Sequence, residues 1–193
     1  AGDLLEIVKR IQPTVLIGAS GQPHSFTEEV INTMSGQCQQ PVIFALSNPI
    51  SKAECTAEEA YRWSDGTAIF ASGSPFAPVQ FGARRLVPGQ GNNMFIFPGI
   101  GLGAVLSGAR KITDEMFFTA AQTLANMVTE KELEAGTMYP DLGKIRQISL
   151  SIATAVGRMV WDAGLARYKE PEDIRQYMRE RMFRPIYRPF EAA

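Results

Sequence analysis

The sequence has little of what catalytic and metal sites are usually built from. It contains one histidine, His24, and two cysteines, Cys38 and Cys55, among its 193 residues. Two isolated thiols give neither a disulfide framework nor the spacing of a zinc site, and they fit a reducing, cytoplasmic compartment. His24 lies in a loop with no cysteine or acidic cluster beside it, so we expect a surface histidine and not a base or a ligand.

The sequence also lacks blocks of like charge and long hydrophobic runs. Its net charge is -1, which argues against nucleic acid or an anionic membrane as the main partner. The longest apolar runs are far shorter than a membrane span, and no charged-then-apolar secretory start is present. No GxGxxG dinucleotide fingerprint occurs anywhere. With 45% hydrophobic and 20% charged residues, the composition is that of a globular domain with its own core.

The first half alternates short apolar runs with helical patterns. Residues 14–17, 42–46 and 68–71 are predicted strands. Two helices are predicted between these strands. One begins with a capping box at Ser25 and Glu28, and the other with a capping box at Thr56 and Glu59. A strand–helix–strand order implies right-handed crossovers. We therefore predict an α/β fold: part of a doubly wound, Rossmann-like parallel sheet in α/β/α layers, followed by C-terminal helices.

The second half is predicted to be helical. Helices are expected over residues 99–109, from Thr113 onward, after a capping box at Thr129 and Glu132, and over residues 145–162. A last helix over residues 172–182 is expected to have Pro171 in its first turn. A basic tail interleaved with Glu172, Asp173 and Glu180 predicts a salt-bridged surface or an interface; its arginines are Arg175, Arg179, Arg181, Arg184 and Arg188.

Small polar residues follow each predicted strand, where open parallel sheets bind ligands. The first group is Gly18-Ala19-Ser20-Gly21, which would let a flat ring or a ribose approach the backbone, or would simply form a tight turn. The second is Ser47-Asn48-Pro49, which aims an amide outward or begins a turn. The third, residues 71–76, is more simply a serine- and glycine-containing loop.

Residues 88–99 contain two adjacent amides, Asn92 and Asn93, between glycines and a short apolar run. Amides held at such a junction can grip a carboxylate or a carboxamide. The alternative is a turn whose asparagines bond their own backbone. Residues 94–97 are predicted to form a brief strand or a buried apolar segment.

This segment resembles the GQGNN-x-x-I-F-P-G signature of the malic enzymes. The resemblance continues in order through residues 14–21, 41–49, 53–60 and 70–76, and around Tyr139-Pro140. It covers nearly the whole chain but only the C-terminal part of that family. Residues 1–193 are thus expected to be the C-terminal portion of a malic enzyme NAD(P)-binding domain, with an αβ half to about residue 98 and a helical part over 99–193.

The resemblance implies a reaction and roles for several residues. The reaction is oxidation of malate by hydride transfer to NAD or NADP, followed by decarboxylation to pyruvate, with a divalent metal, Mg2+ or Mn2+, as cofactor. Asn48 and Asn93 would contact malate and the nicotinamide end of the cofactor, and Asn92 would share that work or hold the loop. Gly18, Ala19 and Ser20, together with Asn48, would line the cofactor.

The same resemblance implies that much of the active site lies outside this chain. The family's catalytic Tyr and Lys, its acidic metal ligands and its glycine-rich pyrophosphate loop would all lie upstream. We therefore assign no catalytic and no metal-binding residue here, and we expect the chain alone to be inactive. Tyr61, Tyr139, Lys111 and Lys144 are not promoted to those roles, and Glu58-Glu59 is expected to cap a helix.

The expected partners are malate and pyruvate, the remainder of the polypeptide, and further copies in a dimer or tetramer, in the cytoplasm or an organelle matrix. The alternative is a non-catalytic nucleotide-binding or assembly module on the same scaffold.

Overall fold

The structure, a computed structural model, describes residues 3–186. The chain forms two compact units. The first comprises the residues up to Asn93 together with Ala125–Asp141, and the second comprises Met94–Leu124 and the residues from Leu142 onward. None of the helices within residues 3–186 has the length and apolar character needed to cross a membrane.

The first unit contains a four-stranded parallel sheet. Its strands are β1 (Val15–Gly18), β2 (Val42–Ala45), β3 (Ile69–Ser72) and β6 (Gly89–Gln90), in the order β1-β2-β3-β6. Strands β4 (Val79–Phe81) and β5 (Arg84–Leu86) form a separate antiparallel hairpin between β3 and β6 in the chain. The three strands predicted from sequence are present. Strand β6 was not predicted, because Gly89-Gln90 has no apolar character and becomes a strand only by pairing with β3.

The helices of the first unit are α1 (Leu4–Ile11), α2 (Glu28–Gln37), α3 (Ala57–Trp63) and α6 (Glu130–Glu134). Buried side chains of α1, α2 and α3 form one core with those of the sheet, including Val8, Met34, Tyr61, Ile43 and Phe70. The alternate residues of β1, Val15 and Ile17, are exposed. Tyr61 is thus a core residue packed edge-on against Phe70.

One of the predicted capping boxes is wrong and two are confirmed. Helix α2 begins after Thr27, whose Oγ1 accepts a hydrogen bond from the Val30 N–H at 3.4 Å. Ser25 does not cap it, because Phe26 is buried in the core and its N–H donates to the Glu54 carbonyl. The boxes at Thr56 and at Thr129 form as predicted, so Glu59 serves as a helix cap.

The second unit is helical within the described residues. It contains α4 (Phe97–Ser107), α5 (Asp114–Ala125), α7 (Ile145–Asp162) and α8 (Ile174–Arg181). Helices α4 and α7 pack closely, since Gly99 lies against Ile152 and Gly103 lies against the Ala153 carbonyl. The predicted bounds of α7, residues 145–162, are confirmed.

Two predicted boundaries in this unit are wrong. Residues 94–97 form neither a strand nor a continuous buried segment: a 3-10 turn covers Asn93–Phe95, and α4 begins at Phe97 with Pro98 in its first turn. Phe95 is buried, whereas Met94 and Phe97 are exposed. Proline supplies no N–H and has a fixed helical φ, which favours a helix start over a strand. Helix α8 begins at Ile174, after Asp173 caps it through the Gln176 N–H at 2.9 Å, so Pro171 lies before the helix.

Candidate functional site

The sequence-predicted site residues gather at one edge of the parallel sheet. The register aligns Gly18 with Ala45, Ala45 with Ser72, and Ser72 with Gln90, so the carboxyl ends of all four strands lie side by side. Each strand end is followed either by residues that the sequence predicts to bind a ligand or by a loop that contacts such residues. These residues are Ala19 and Ser20 after β1, Asn48 after β2, Ser74 after β3, and Asn92 and Asn93 after β6.

A buried carboxylate, Glu54, joins the first two of these loops. Its Oε1 accepts hydrogen bonds from the N–H and the hydroxyl of Ser20, both at 2.9 Å, and from the hydroxyl of Ser47. Its Oε2 accepts from the Ser47 N–H at 3.4 Å. The Ser47 hydroxyl in turn accepts from the Gly21 N–H at 2.9 Å. One side chain therefore fixes the spacing between the β1 and β2 loops.

Glu54 is fully buried, and the structure shows no cation against it within residues 3–186. Burial by itself raises the pKa of Glu54, but the hydrogen bonds from Ser47 and Ser20 outweigh burial and leave the pKa below its ordinary value. The side chain is thus held as a carboxylate by neutral donors. The Glu54 carboxylate thus holds the Ser20 and Ser47 donors in place, and these hydrogen bonds stabilise its charge without a bound metal.

Asn48 is exposed at the tip of the β2 loop. Its Nδ2 lies 3.4 Å from the Gly73 carbonyl, and its Oδ1 accepts a hydrogen bond from the Ser74 hydroxyl. The third loop thus orients the amide of the second loop. The contact leaves Asn48 at the surface, where it can meet a ligand.

Asn92 and Asn93 follow β6 at the same edge. The Gly91 N–H donates to the Ser72 carbonyl at 2.9 Å, which extends the β3–β6 pairing up to the two asparagines. The Gln90 Nε2 donates to the Gly73 carbonyl at 3.3 Å, the same oxygen that Asn48 approaches. Asn93 is exposed and begins the 3-10 turn, whereas Asn92 is half-buried and has a partner.

Tyr139 is half-buried and packs against this edge of the sheet. Its ring lies 6.4 Å from that of Phe44 on β2, and a Cβ added at Gly91 would lie 3.4 Å from its hydroxyl. Burial raises the pKa of Tyr139. Tyr139 thus packs against both β2 and the β6 loop.

Sequence reasoning missed Glu54 and Gln90 as residues that shape the site. Glu54 lies 34 positions from Ser20, and no local pattern reveals a bond over that distance. The one available signal was an acid between two small buried residues, Ala53 and Cys55. His24 is exposed, as expected. Within residues 3–186, no three His, Cys, Asp or Glu side chains are placed to hold a metal ion.

The two thiols should differ in reactivity, because Cys55 adjoins Glu54 and is buried, whereas Cys38 is half-buried. Burial, and then the charges of Glu59 and Glu54, raise the pKa of Cys55. We expect iodoacetamide at pH 8 to alkylate Cys38 at least tenfold faster than Cys55 in the folded chain, measured by peptide mass spectrometry. Equal rates would contradict the packing around Glu54, and the two rates should converge in 6 M guanidinium chloride.

The parallel sheet, with polar loops at the carboxyl ends of its strands, defines a doubly wound α/β domain of the nucleotide-binding class. A family model described as malic enzyme, NAD binding domain, matches residues 1–161, and the chain belongs to that family. The predicted resemblance is thereby confirmed.

Relatives and solved structures agree with this assignment. The chain is 51% identical over 188 residues to an NADP-dependent malic enzyme of Phaseolus vulgaris, covering 97% of this chain and 32% of that protein. It is 48% identical over 184 residues to one of Dictyostelium discoideum, covering 95% and 34%. The chain therefore spans about a third of the length of these relatives.

The predicted fold class is confirmed by solved malic enzymes. The crystal structure from Entamoeba histolytica matches with a TM-score of 0.69 and 26% identity, covering 88% of this chain and 31% of that one. The structure from Pyrococcus horikoshii Ot3 matches with a TM-score of 0.65 and 26% identity, covering 86% and 34%.

Proposed function

We propose that this chain is the C-terminal portion of the NAD(P)-binding domain of a malic enzyme, with an αβ half to about residue 98 and a helical part over 99–193. The whole protein would oxidise and decarboxylate malate to pyruvate and CO2 while reducing NAD(P)+. One observation carries the proposal: exposed Asn48 lies on a loop that Glu54 ties to the Ala19-Ser20 loop, at the carboxyl edge of a parallel sheet. That edge is where such sheets bind nucleotides.

The residues at this edge fit the nicotinamide and ribose part of a dinucleotide. Ala19 and Ser20 are small and exposed, so a ring or a sugar can approach their backbone. The chain has no glycine-rich pyrophosphate loop, so we propose that the pyrophosphate is held by residues outside it. A bound NAD(P)+ would supply the hydride acceptor, and a divalent cation held outside this chain would supply Lewis acidity at the C2 oxygen of malate.

Asn48 and Asn93 are proposed to orient the substrate. An amide offers two N–H donors to a carboxylate or a carboxamide and one carbonyl acceptor. Two amides on different strand-end loops can hold malate with its C2–H toward the nicotinamide, which accelerates hydride transfer by proximity. Asn92, beside them and half-buried, would hold the loop or share this contact.

The rest of the active site is proposed to lie outside this chain. Mg2+ or Mn2+ would be held by acidic residues elsewhere in the polypeptide, as would the catalytic Tyr and Lys. The chain alone would then be inactive, and the whole protein would form a dimer or a tetramer. We propose the cytoplasm or an organelle matrix as its compartment.

Asn93→Ala in the full-length protein is expected to lower kcat/KM for malate at least tenfold, about 1.4 kcal/mol of transition-state stabilisation. Because Asn93 is exposed, the melting temperature should change by less than about 2 °C. Steady-state kinetics and thermal unfolding measure the two effects. Asn32→Ala, an exposed asparagine of α2, is the matched control and should alter neither. Unchanged kinetics in Asn93→Ala would refute the substrate role, and a large loss of stability would favour a purely structural turn.

Malate-dependent NAD(P)H formation with Mn2+, assayed for this chain and its full-length parent in parallel, tests the proposal as a whole. Activity in the parent alone is the expected result. If the parent binds NAD(P)H, measured by fluorescence titration, but shows no activity, a non-catalytic nucleotide-binding module replaces the malic enzyme proposal. Activity in the chain alone would place catalytic residues within it and overturn the assignment.

A further inference from the structure

Four arginines line one pocket of the second unit, apart from the residues assigned above. The pocket has a volume of about 360 Å3 and lies among α7, α8 and the segment that follows α8. Leu150 and Met182 supply its apolar lining and Gln147 a neutral amide. Its charged residues are Arg146, Arg175, Arg179 and Arg184.

The local structure explains why these side chains converge. Arg175 and Arg179 are four positions apart, so they lie on one face of α8, and Met182 follows directly as the C-cap of that helix. Leu150 and Met178 belong to the core that joins α7 to α8, and this core brings that face toward Arg146. The Arg146 guanidinium donates to the Phe183 carbonyl at 2.6 Å, which fastens the segment bearing Arg184 beside α7.

The positive charge of the pocket is not neutralised by any carboxylate that the structure describes. Over residues 3–186, none of the four guanidinium groups lies within 4.0 Å of an Asp or Glu oxygen. Arg175 donates to the neutral Ser151 hydroxyl, at 3.3 Å. Elsewhere on α8, Glu180 lies 3.8 Å from Arg181 and accepts a hydrogen bond from the Gln176 amide. Whether the tail is a salt-bridged surface or an interface stays a prediction. Arg188 lies outside the described residues.

We propose that this four-arginine pocket binds a compact small-molecule polyanion carrying at least two phosphate or carboxylate groups. Guanidinium groups present paired N–H donors whose geometry matches both kinds of oxyanion. The four guanidinium groups of this open pocket repel one another, and a multiply charged anion bound among them would be attracted to all four. The pocket volume suits a ligand of pyrophosphate or citrate size and is small for a folded partner or a nucleic acid strand.

Isothermal titration calorimetry of the full-length protein with pyrophosphate, and separately with citrate, tests the site at constant ionic strength. We expect saturable binding with one equivalent per chain for at least one of the two. Tighter binding of pyrophosphate would indicate a natural ligand with phosphate groups, and tighter binding of citrate would indicate one with carboxylate groups. Arg179→Gln and Arg146→Gln should each weaken binding at least tenfold, about 1.4 kcal/mol.

Arg158→Gln is the matched control, because Arg158 is an exposed arginine of α7 that does not line this pocket. It removes the same charge and should leave the affinity within twofold of wild type. Equal weakening by Arg158→Gln and Arg179→Gln would show non-specific attraction and overturn the proposal. So would absence of saturable binding, or tighter binding to phosphatidylserine vesicles or single-stranded DNA than to either small anion. The readout is binding, and the pocket variants separate this site from the proposed malate and NAD(P) sites, which could also take citrate or pyrophosphate. Saturable binding that Arg179→Gln and Arg146→Gln leave unchanged would belong to those other sites and would overturn the proposal.

Discussion

Replacing Glu54 by glutamine is expected to lower the free energy of unfolding by about 3 kcal/mol. The variant keeps the shape of the side chain but loses the charge that four donors from Ser20 and Ser47 share. One oxygen becomes an NH2 group facing other donors, so buried N–H and O–H groups are left unsatisfied. For a chain of this length the melting temperature should fall by roughly 6–12 °C, measured by circular dichroism.

The effect on catalysis should follow from the same contacts. Glu54 touches neither proposed ligand, so it acts as a positioning residue for the Ser20 and Asn48 loops. In the full-length protein we expect the KM values for NAD(P)+ and for malate to rise together, at a temperature where the variant is folded. Glu58→Gln, in the exposed first turn of α3, is the control and should change stability by less than about 0.5 kcal/mol. Wild-type kinetics in Glu54→Gln would show that Glu54 serves stability alone.

The pH dependence provides a second test of Glu54. Because hydrogen bonds hold the pKa of Glu54 below its ordinary value of 4.5, the carboxylate stabilises the fold fully above that pH. Its contribution is lost as the pH falls through the lower pKa of the folded state. The stability difference between wild type and Glu54→Gln should therefore be constant between pH 7 and about pH 5.5 and should shrink in more acidic buffers. Urea unfolding measures this stability difference at each pH. A difference that widens on acidification would contradict a lowered pKa for Glu54.

What could be predicted from sequence was set by local patterns. The periodicity of residues 145–162 gave the bounds of α7, and the capping boxes at Thr56 and Thr129 place two helix starts correctly. These features depend on residues three or four positions apart. The box at Ser25 failed because a tertiary contact, burial of Phe26, decided where α2 begins.

The parts of the site that sequence could not predict depend on contacts between distant residues. Glu54 meets Ser20 across 34 positions, and Gln90 meets Gly73 across 17. The strand-end rule, applied to the sequence alone, places Asn48 and the Ala19-Ser20 loop at one edge of the sheet. It could not show that a buried carboxylate holds them together, because that requires the packed geometry. The roles of Asn48, Asn92 and Asn93 stay predictions until the kinetics are measured.

Gly18→Ala should be as damaging as the loss of Glu54, and for a steric reason. A Cβ at this position would lie 2.6 Å from Cγ and Cδ of Glu54 and 2.7 Å from Cζ of Phe26. Neither neighbour can easily withdraw, since Glu54 is held by its hydrogen bonds and Phe26 is buried. Overpacking of this kind costs about 1–3 kcal/mol, and displacement of Glu54 adds to it, so we expect a loss of roughly 3–4 kcal/mol in urea unfolding.

Two further variants make the Gly18 result decisive. Gly36→Ala in α2 is the control, because a Cβ there meets nothing within 4 Å, and helix propensity predicts a gain of about 0.5–1 kcal/mol. Glu54→Ala removes the atoms that Gly18→Ala would strike. The double variant should then be destabilised by clearly less than the sum of its single variants, because the clash with Glu54 is gone. Simple additivity would mean that Gly18 is required for some reason other than its contact with Glu54. The steric argument that Gly18 leaves room for the carboxylate joining the two strand-end loops would then be wrong.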